Sequence, residues 1–149
     1  MPVDLKRFVP LAALALVALG GRTLVAESDV LPTVRERFAK EDVSDEPDFQ
    51  RHVSPLFGRL GCNGRACHGS FQGRGGFRLS LFGYDFKADH DELLKGDPIR
   101  ANKDKPLESL ILTKPTDADM HEGGLRYKQG GWEYHVFRRW IEEIGRAHV

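Results

Sequence analysis

Cys62-Asn63-Gly64-Arg65-Ala66-Cys67-His68 is the stretch on which the reading of this chain turns. It holds both cysteines of the 149-residue protein, and a histidine directly follows the second. Two thiols followed at once by His form the arrangement that attaches a c-type haem. The sulfurs add across the porphyrin's two vinyl groups, and the histidine becomes the proximal iron ligand. The usual spacing leaves two residues between the cysteines, whereas four stand here. Two other chemistries use the same atoms. A Cys62–Cys67 disulfide needs only proximity and an oxidising compartment, and it leaves His68 without a role. A zinc ion would take Cys62, Cys67, His68 and a fourth ligand, but adjacent Cys and His seldom converge on one tetrahedral ion. The haem reading asks more of the chain: export, a helix ahead of the motif and a second axial ligand downstream.

The N-terminus meets the first requirement. Lys6 and Arg7 precede an uncharged apolar run of about 12 residues, Phe8 to Leu19, with small residues at Ala18, Gly20 and Ala26. Such a run falls short of the ~20 residues that span a bilayer and reads as an export signal over residues 1–26. Membrane attachment is expected only if that segment stays uncleaved. Outside the cytoplasm two free thiols are normally oxidised, bound to metal or covalently modified. A periplasmic or cell-envelope location therefore agrees with the motif. Removing residues 1–26 takes away Lys6, Arg7, Arg22 and Asp4 and leaves a net charge of about −2. The whole chain balances 22 basic against 22 acidic residues, so no field drives it to nucleic acid.

Residues 27–46 are polar and acidic and read as a linker, with a short helix admissible from Val34 to Lys40. The second requirement is met by Phe49, Val53, Leu56, Phe57 and Leu60, which fall on one face of a helix expected from Pro47 to Leu60. Asp45 or Glu46 is the expected cap, Pro55 a kink or later start near Ser54, and Gly61 the stop. Much of the chain's glycine (16 residues) lies between Gly61 and Gly131, which predicts long loops. Phe77 to Phe82 alternates and reads as a short strand or extended wall. Short helices are expected over Asp89–Leu94 and from near Asp104, the latter turning Leu107, Leu110 and Ile111 inward before Pro115. The last helix is expected from Trp132 to Ile144, with Gly145 as its stop and residues 146–149 as a tail.

The third requirement points to the loop Pro115–Gly131. Met120 is the one methionine left once Met1 is removed, and His121 follows it. Either side chain closes an axial position of a c-type haem. Arg65, Arg78 and Arg126, among the cations flanking the two loops, are candidate partners for the haem propionates. Phe71, Phe77, Leu79, Leu81, Leu110 and Ile111 are candidate pocket walls. His52, His90, His135 and His148 read as surface residues. Asp85, Asp89, Asp117 and Asp119 form no catalytic pattern, so no enzyme chemistry is assigned.

Residues 47–145 resemble the cytochrome c-like domain found at the N-terminus of many large exported proteins of planctomycete-type bacteria. The resemblance is carried by Cys62 to Gly69, Gly75-Gly76-Phe77-Arg78-Leu79-Ser80-Leu81 and Gly83-Tyr84-Asp85. Ser109 to Leu112 with Lys114-Pro115, His121-Glu122-Gly123-Gly124 and Arg139-Trp140-Ile141 extend it. Four residues between the cysteines is the spacing that family uses. The resemblance implies an all-α, cytochrome c-like fold whose N- and C-terminal helices cross around one covalently attached haem c, with Trp140 or Phe137 over Gly58. It implies Cys62 and Cys67 as thioether residues, His68 as proximal and His121 as distal iron ligand, with Met120 the alternative. The chain as a whole is expected to be an exported electron-transfer protein, not an enzyme by itself, whose partners are redox proteins; the alternatives are a haem-containing sensor or docking module and a haem-free, disulfide-stapled binding domain.

Overall fold

The computed structural model describes residues 30–144, and the folded unit that carries the motif begins at Leu31. The fold is all-α. Its elements are α1 (Val34–Arg37), a π-helical turn (Phe49–Val53) running directly into α2 (Ser54–Leu60), α3 (Phe86–Lys95), α4 (Leu110–Thr113) and α5 (Trp132–Ile144). Short 3-10 turns at Leu81–Gly83 and Pro106–Glu108 complete the set. No helix among the described residues is long and apolar enough to cross a membrane. Residues 1–26, read from the sequence as an export signal, and the expected stop Gly145 and tail 146–149 lie outside the described residues.

Asp48 starts the first helical stretch by accepting a hydrogen bond from the Arg51 N–H at 2.7 Å, in place of the expected Asp45 or Glu46. Pro55 explains why that stretch opens as a π turn. A proline inside an α-helix loses its N–H bond and presses its ring on the carbonyl four residues back. Here the turn ahead of it is widened: the Val53 and Ser54 amides reach back five residues, to the carbonyls of Asp48 and Phe49. Regular α-helix then begins at Ser54, with Pro55 in its first turn.

Part of the expected linker belongs to the folded unit. Thr33 and Glu36 form a reciprocal capping box on α1, and Phe38 just beyond it is completely buried. His135 of α5, expected at the surface, is buried beneath this segment and donates from Nδ1 to the Phe38 carbonyl at 3.0 Å. Arg138 pairs with Glu41 across the same junction. The acidic composition of 27–46 hid one aromatic residue that reaches the core.

Along α5 the buried side chains include Val136, Phe137, Trp140, Ile141 and Ile144, the expected face. Phe137 packs between Phe57 and Tyr127, with ring centroids 5.3 Å away on either side, and Trp140 packs on Phe49 at 5.3 Å. Neither lies over Gly58, which is exposed. The helices meet through aromatic rings, which fill the space a close backbone approach would have removed.

Between α2 and α3 the chain forms no strand, only an isolated antiparallel bridge between Arg74 and Phe77. The following segment is an extended wall, tied to the motif by the bond from Leu79 N–H to the His68 carbonyl at 2.8 Å. Ser80 fixes its far end: its amide and hydroxyl both donate to the Asp89 carboxylate, while its oxygen accepts the Asp85 N–H. Of the helix expected from Asp104, only a 3-10 turn and the four residues of α4 form, and Leu107 is exposed. Ser109, buried between them, accepts the Asn102 N–H through its hydroxyl at 2.9 Å and holds the break.

Candidate functional site

Gly61 delivers the motif to its place. With φ +75° it adopts the left-handed conformation that ends a helix, and Cys62 donates its N–H to the Phe57 carbonyl at 2.9 Å. The chain then doubles back. Cys67 N–H bonds to Gly64, His68 N–H to Cys62 at 2.9 Å, and Gly69 N–H to Gly64 at 3.1 Å. The four residues between the cysteines are thus taken up by a closed loop that returns His68 beside Cys62. Gly69 is required there, since a Cβ at this position would lie 2.0 Å from the Asn63 carbonyl oxygen.

His68 Nδ1 lies 3.0 Å from the carbonyl oxygens of both Arg74 and Phe77. Carbonyls only accept, so Nδ1 carries the proton and Nε2 keeps its lone pair. Burial pushes the imidazole pKa down and favours this neutral form. Gly73 makes the carbonyl cradle by turning at φ +70° so tightly that a Cβ would meet the Phe77 oxygen at 2.2 Å.

The second loop holds His121 by the same kind of hydrogen bond. Its Nδ1 donates to the Gly124 carbonyl at 2.8 Å, and Gly124 N–H returns a bond to the His121 carbonyl at 2.7 Å. Gly123 leaves room for the ring, since a Cβ there would approach His121 Cε1 to 2.7 Å. The rings of His68 and His121 stand 6.2 Å apart, centroid to centroid, with planes 33° apart. Met120 is 57% exposed, and its backbone is held in a turn by the Asp117 carboxylate.

All five sulfur and imidazole candidates, Cys62, Cys67, His68, Met120 and His121, line one cavity of about 410 Å³. Its apolar wall includes Phe57, Phe77, Leu110 and Ile111. Of the other expected walls, Leu79 lies in the core, whereas Phe71 points outward and Leu81 is on the surface. Both cysteines are free thiols. Burial pushes the Cys62 thiol up to about 11, with Arg126 opposing the shift and Cys67 adding to it.

Of the three arginines expected near the propionates, Arg126 alone lines this cavity, its Nη2 3.8 Å from Cys67 Sγ. Arg65 lines an outer hollow instead, and Arg78 stacks over the exposed Phe71 ring at 5.6 Å. The cavity's other cations are Arg74, Arg100 and Lys114. Arg100 was not legible as a site residue: it is buried, donates to the Pro98 carbonyl at 2.9 Å and lies 5.1 Å from the Phe77 ring centre. An arginine set between Ile99 and Ala101 is the one hint the sequence carried.

The residues fit a metalloporphyrin better than a bare metal ion. Among the described residues no three His, Cys, Asp or Glu side chains converge on one point, as an all-protein zinc site demands. Two imidazoles sharing one metal are different. With each nitrogen about 2 Å from the metal and about 1.2 Å from its ring centre, the centroids stand roughly 6.4 Å apart. The cavity lies in the ~300–1,000 Å³ range of cofactor pockets and is mainly apolar with a few placed polar groups. No family model matches this chain, and neither a curated protein nor a solved structure does.

Proposed function

We propose that this chain is an exported, monohaem c-type cytochrome of cytochrome c-like fold that carries single electrons between redox proteins of the periplasm or cell envelope. Cys62 and Cys67 are the thioether residues, each S–H adding across one vinyl group with nothing released. His68 is the proximal ligand and His121 the distal one. The bound haem supplies the one-electron couple; the protein supplies binding, orientation and electrostatics. Nothing in the reading asks a side chain for acid, base or nucleophilic chemistry, so the protein is not an enzyme by itself.

The observation that carries the proposal is the His68–His121 pair. Two imidazoles, each with an Nδ1 committed to a backbone carbonyl, have ring centroids at about the separation that one shared metal would set, beside two thiols in one cavity. Backbone partners of this kind fix ligand tautomer and orientation in metal sites. A disulfide-stapled domain needs no such pair.

Visible spectroscopy and the intact mass of the protein, exported from a host with c-type maturation, test the reading. The expected result is a c-type absorption spectrum and a mass equal to the chain plus one haem. A mass two hydrogens below that of the reduced chain, with no visible absorption, would sink it in favour of a Cys62–Cys67 disulfide.

A further inference from the structure

A second concavity lies on the outside of the proximal loop. It is a shallow hollow of about 460 Å³ whose lining includes Arg65, Cys67, Ser70, Phe71 and Arg74. Cys67 and Arg74 line the main cavity as well, so the two spaces share these side chains as a wall. Phe71 is 87% exposed at its edge, with the Arg78 guanidinium 5.6 Å from its ring centre. No acidic residue lines the hollow. Glu122, a cavity-lining acid, reaches Arg74 at 3.9 Å and leaves Arg65 and Arg78 uncompensated by it. The whole chain has zero formal net charge, so this group of arginines is a local feature and not a reflection of bulk composition.

We infer that this hollow is the docking surface for an acidic face of the redox partner, with Phe71 as its apolar anchor. Exposed aromatic and arginine side chains together are the composition of interface centres, and an all-cationic rim selects a carboxylate-bearing surface. Because Cys67 and Arg74 line both spaces, a partner docked here is separated from the cavity by that side-chain wall. With haem bound as proposed, docking here would bring the partner up for the transfer of one electron, with no atom or proton exchanged. The electron's route rests on the haem reading; the docking does not.

A poly-glutamate peptide serves as the probe, titrated into the full chain while backbone amides are followed by NMR. The expected shifts cluster between residues 65 and 78 and fade with added salt, because ionic screening shortens to about 10 Å at 0.1 M. Arg65→Glu with Arg78→Glu lowers peptide affinity by at least about tenfold, whereas Lys103→Glu with Lys105→Glu, an equal charge reversal elsewhere, leaves it unchanged. Shifts centred on Lys103 and Lys105, or equal affinity in the two double variants, overturn the docking face. In the haem-loaded protein the Arg65/Arg78 variant also slows oxidation by ferricyanide about tenfold at low salt and does not slow oxidation by tris(phenanthroline)cobalt(III). Equal slowing of both oxidants overturns the electrostatic assignment. Peptide binding at 65–78 by a chain without haem absorption refutes the haem reading and keeps the docking face; a haem spectrum without that binding does the reverse.

Discussion

His68 and His121, which are 53 residues apart in sequence, have ring centroids 6.2 Å apart. Each is locked by an Nδ1–H bond to a carbonyl of its own loop. Each loop therefore builds its own half of the pair, and the cavity joins them. His121→Ala is expected to open the distal position: the ferrous protein should bind carbon monoxide readily and its visible spectrum should change. Met120→Ala should leave ligation as it was, since that side chain is more than half exposed. A spectrum altered by Met120→Ala and not by His121→Ala would assign the distal ligand to sulfur.

The loop that carries His68 depends on Gly69. A methyl group there would sit 2.0 Å from the Asn63 oxygen, and the obstacle is backbone, which has no rotamer to retreat into. Gly69→Ala is expected to cost about 2–4 kcal/mol, read from the urea midpoint. Gly75→Ala isolates the conformational part, because Gly75 has φ +61° with open space around it, and should cost only about 1–2 kcal/mol. Equal costs would mean that the loop between the cysteines relaxes freely.

Asp91 gives the pH dependence a clear sign. It accepts from Lys87 at 2.7 Å and Lys95 at 2.8 Å along α3, and these bonds lower its pKa from the ordinary 3.8 to about 2, Lys87 being the larger cause. A carboxyl depressed on folding binds fewer protons in the native chain than in the unfolded one. Its contribution to stability is therefore present above pH 3.8 and lost as pH falls through about 2. The carboxyl carbon of Asp91 should titrate near pH 2 by NMR, and Asp91→Asn should abolish that part of the acid dependence. A midpoint at the ordinary carboxylate value would show that the two lysines do not hold it in solution.

What the sequence made legible was local. The face of α5, the stop at Gly61 and the gathering of Cys62, Cys67, His68 and His121 follow from periodicity, glycine geometry and motif. The failures came where packing overrode composition. The α-helix does begin at Ser54, the later start that Pro55 suggested, but the π turn ahead of it is something no stripe of apolar residues predicts. Leu107 looked inward by spacing, yet the break at Ser109 turned it out. Phe71 looked like cavity wall because it is aromatic and adjacent to the motif, but it follows the outward turn of the glycine loop. Arg100 and His135 are polar residues buried against carbonyls, and their partners are distant or irregular pieces of backbone that a pattern of side chains does not encode.

Phe38 is the sharpest of these cases, and the one most easily tested. The segment 27–46 reads as solvated lead-in, yet Phe38 is completely buried, its ring meets His52 edge-on at 6.0 Å, and its carbonyl satisfies buried His135. Phe38→Ala should cost about 3–5 kcal/mol through lost burial and the cavity left behind. That is a large share of the ~5–15 kcal/mol by which small domains are stable, so the variant should melt far below the parent. Leu31→Ala, at a position 83% exposed, should change stability by less than about 0.5 kcal/mol. The comparison separates two architectures. If Phe38 is the plug that seats α1 on α5, the two alanine variants differ by several kcal/mol. If they behave alike in denaturant, residues 31–46 are dispensable, and the folded unit begins at the helix that leads into Cys62.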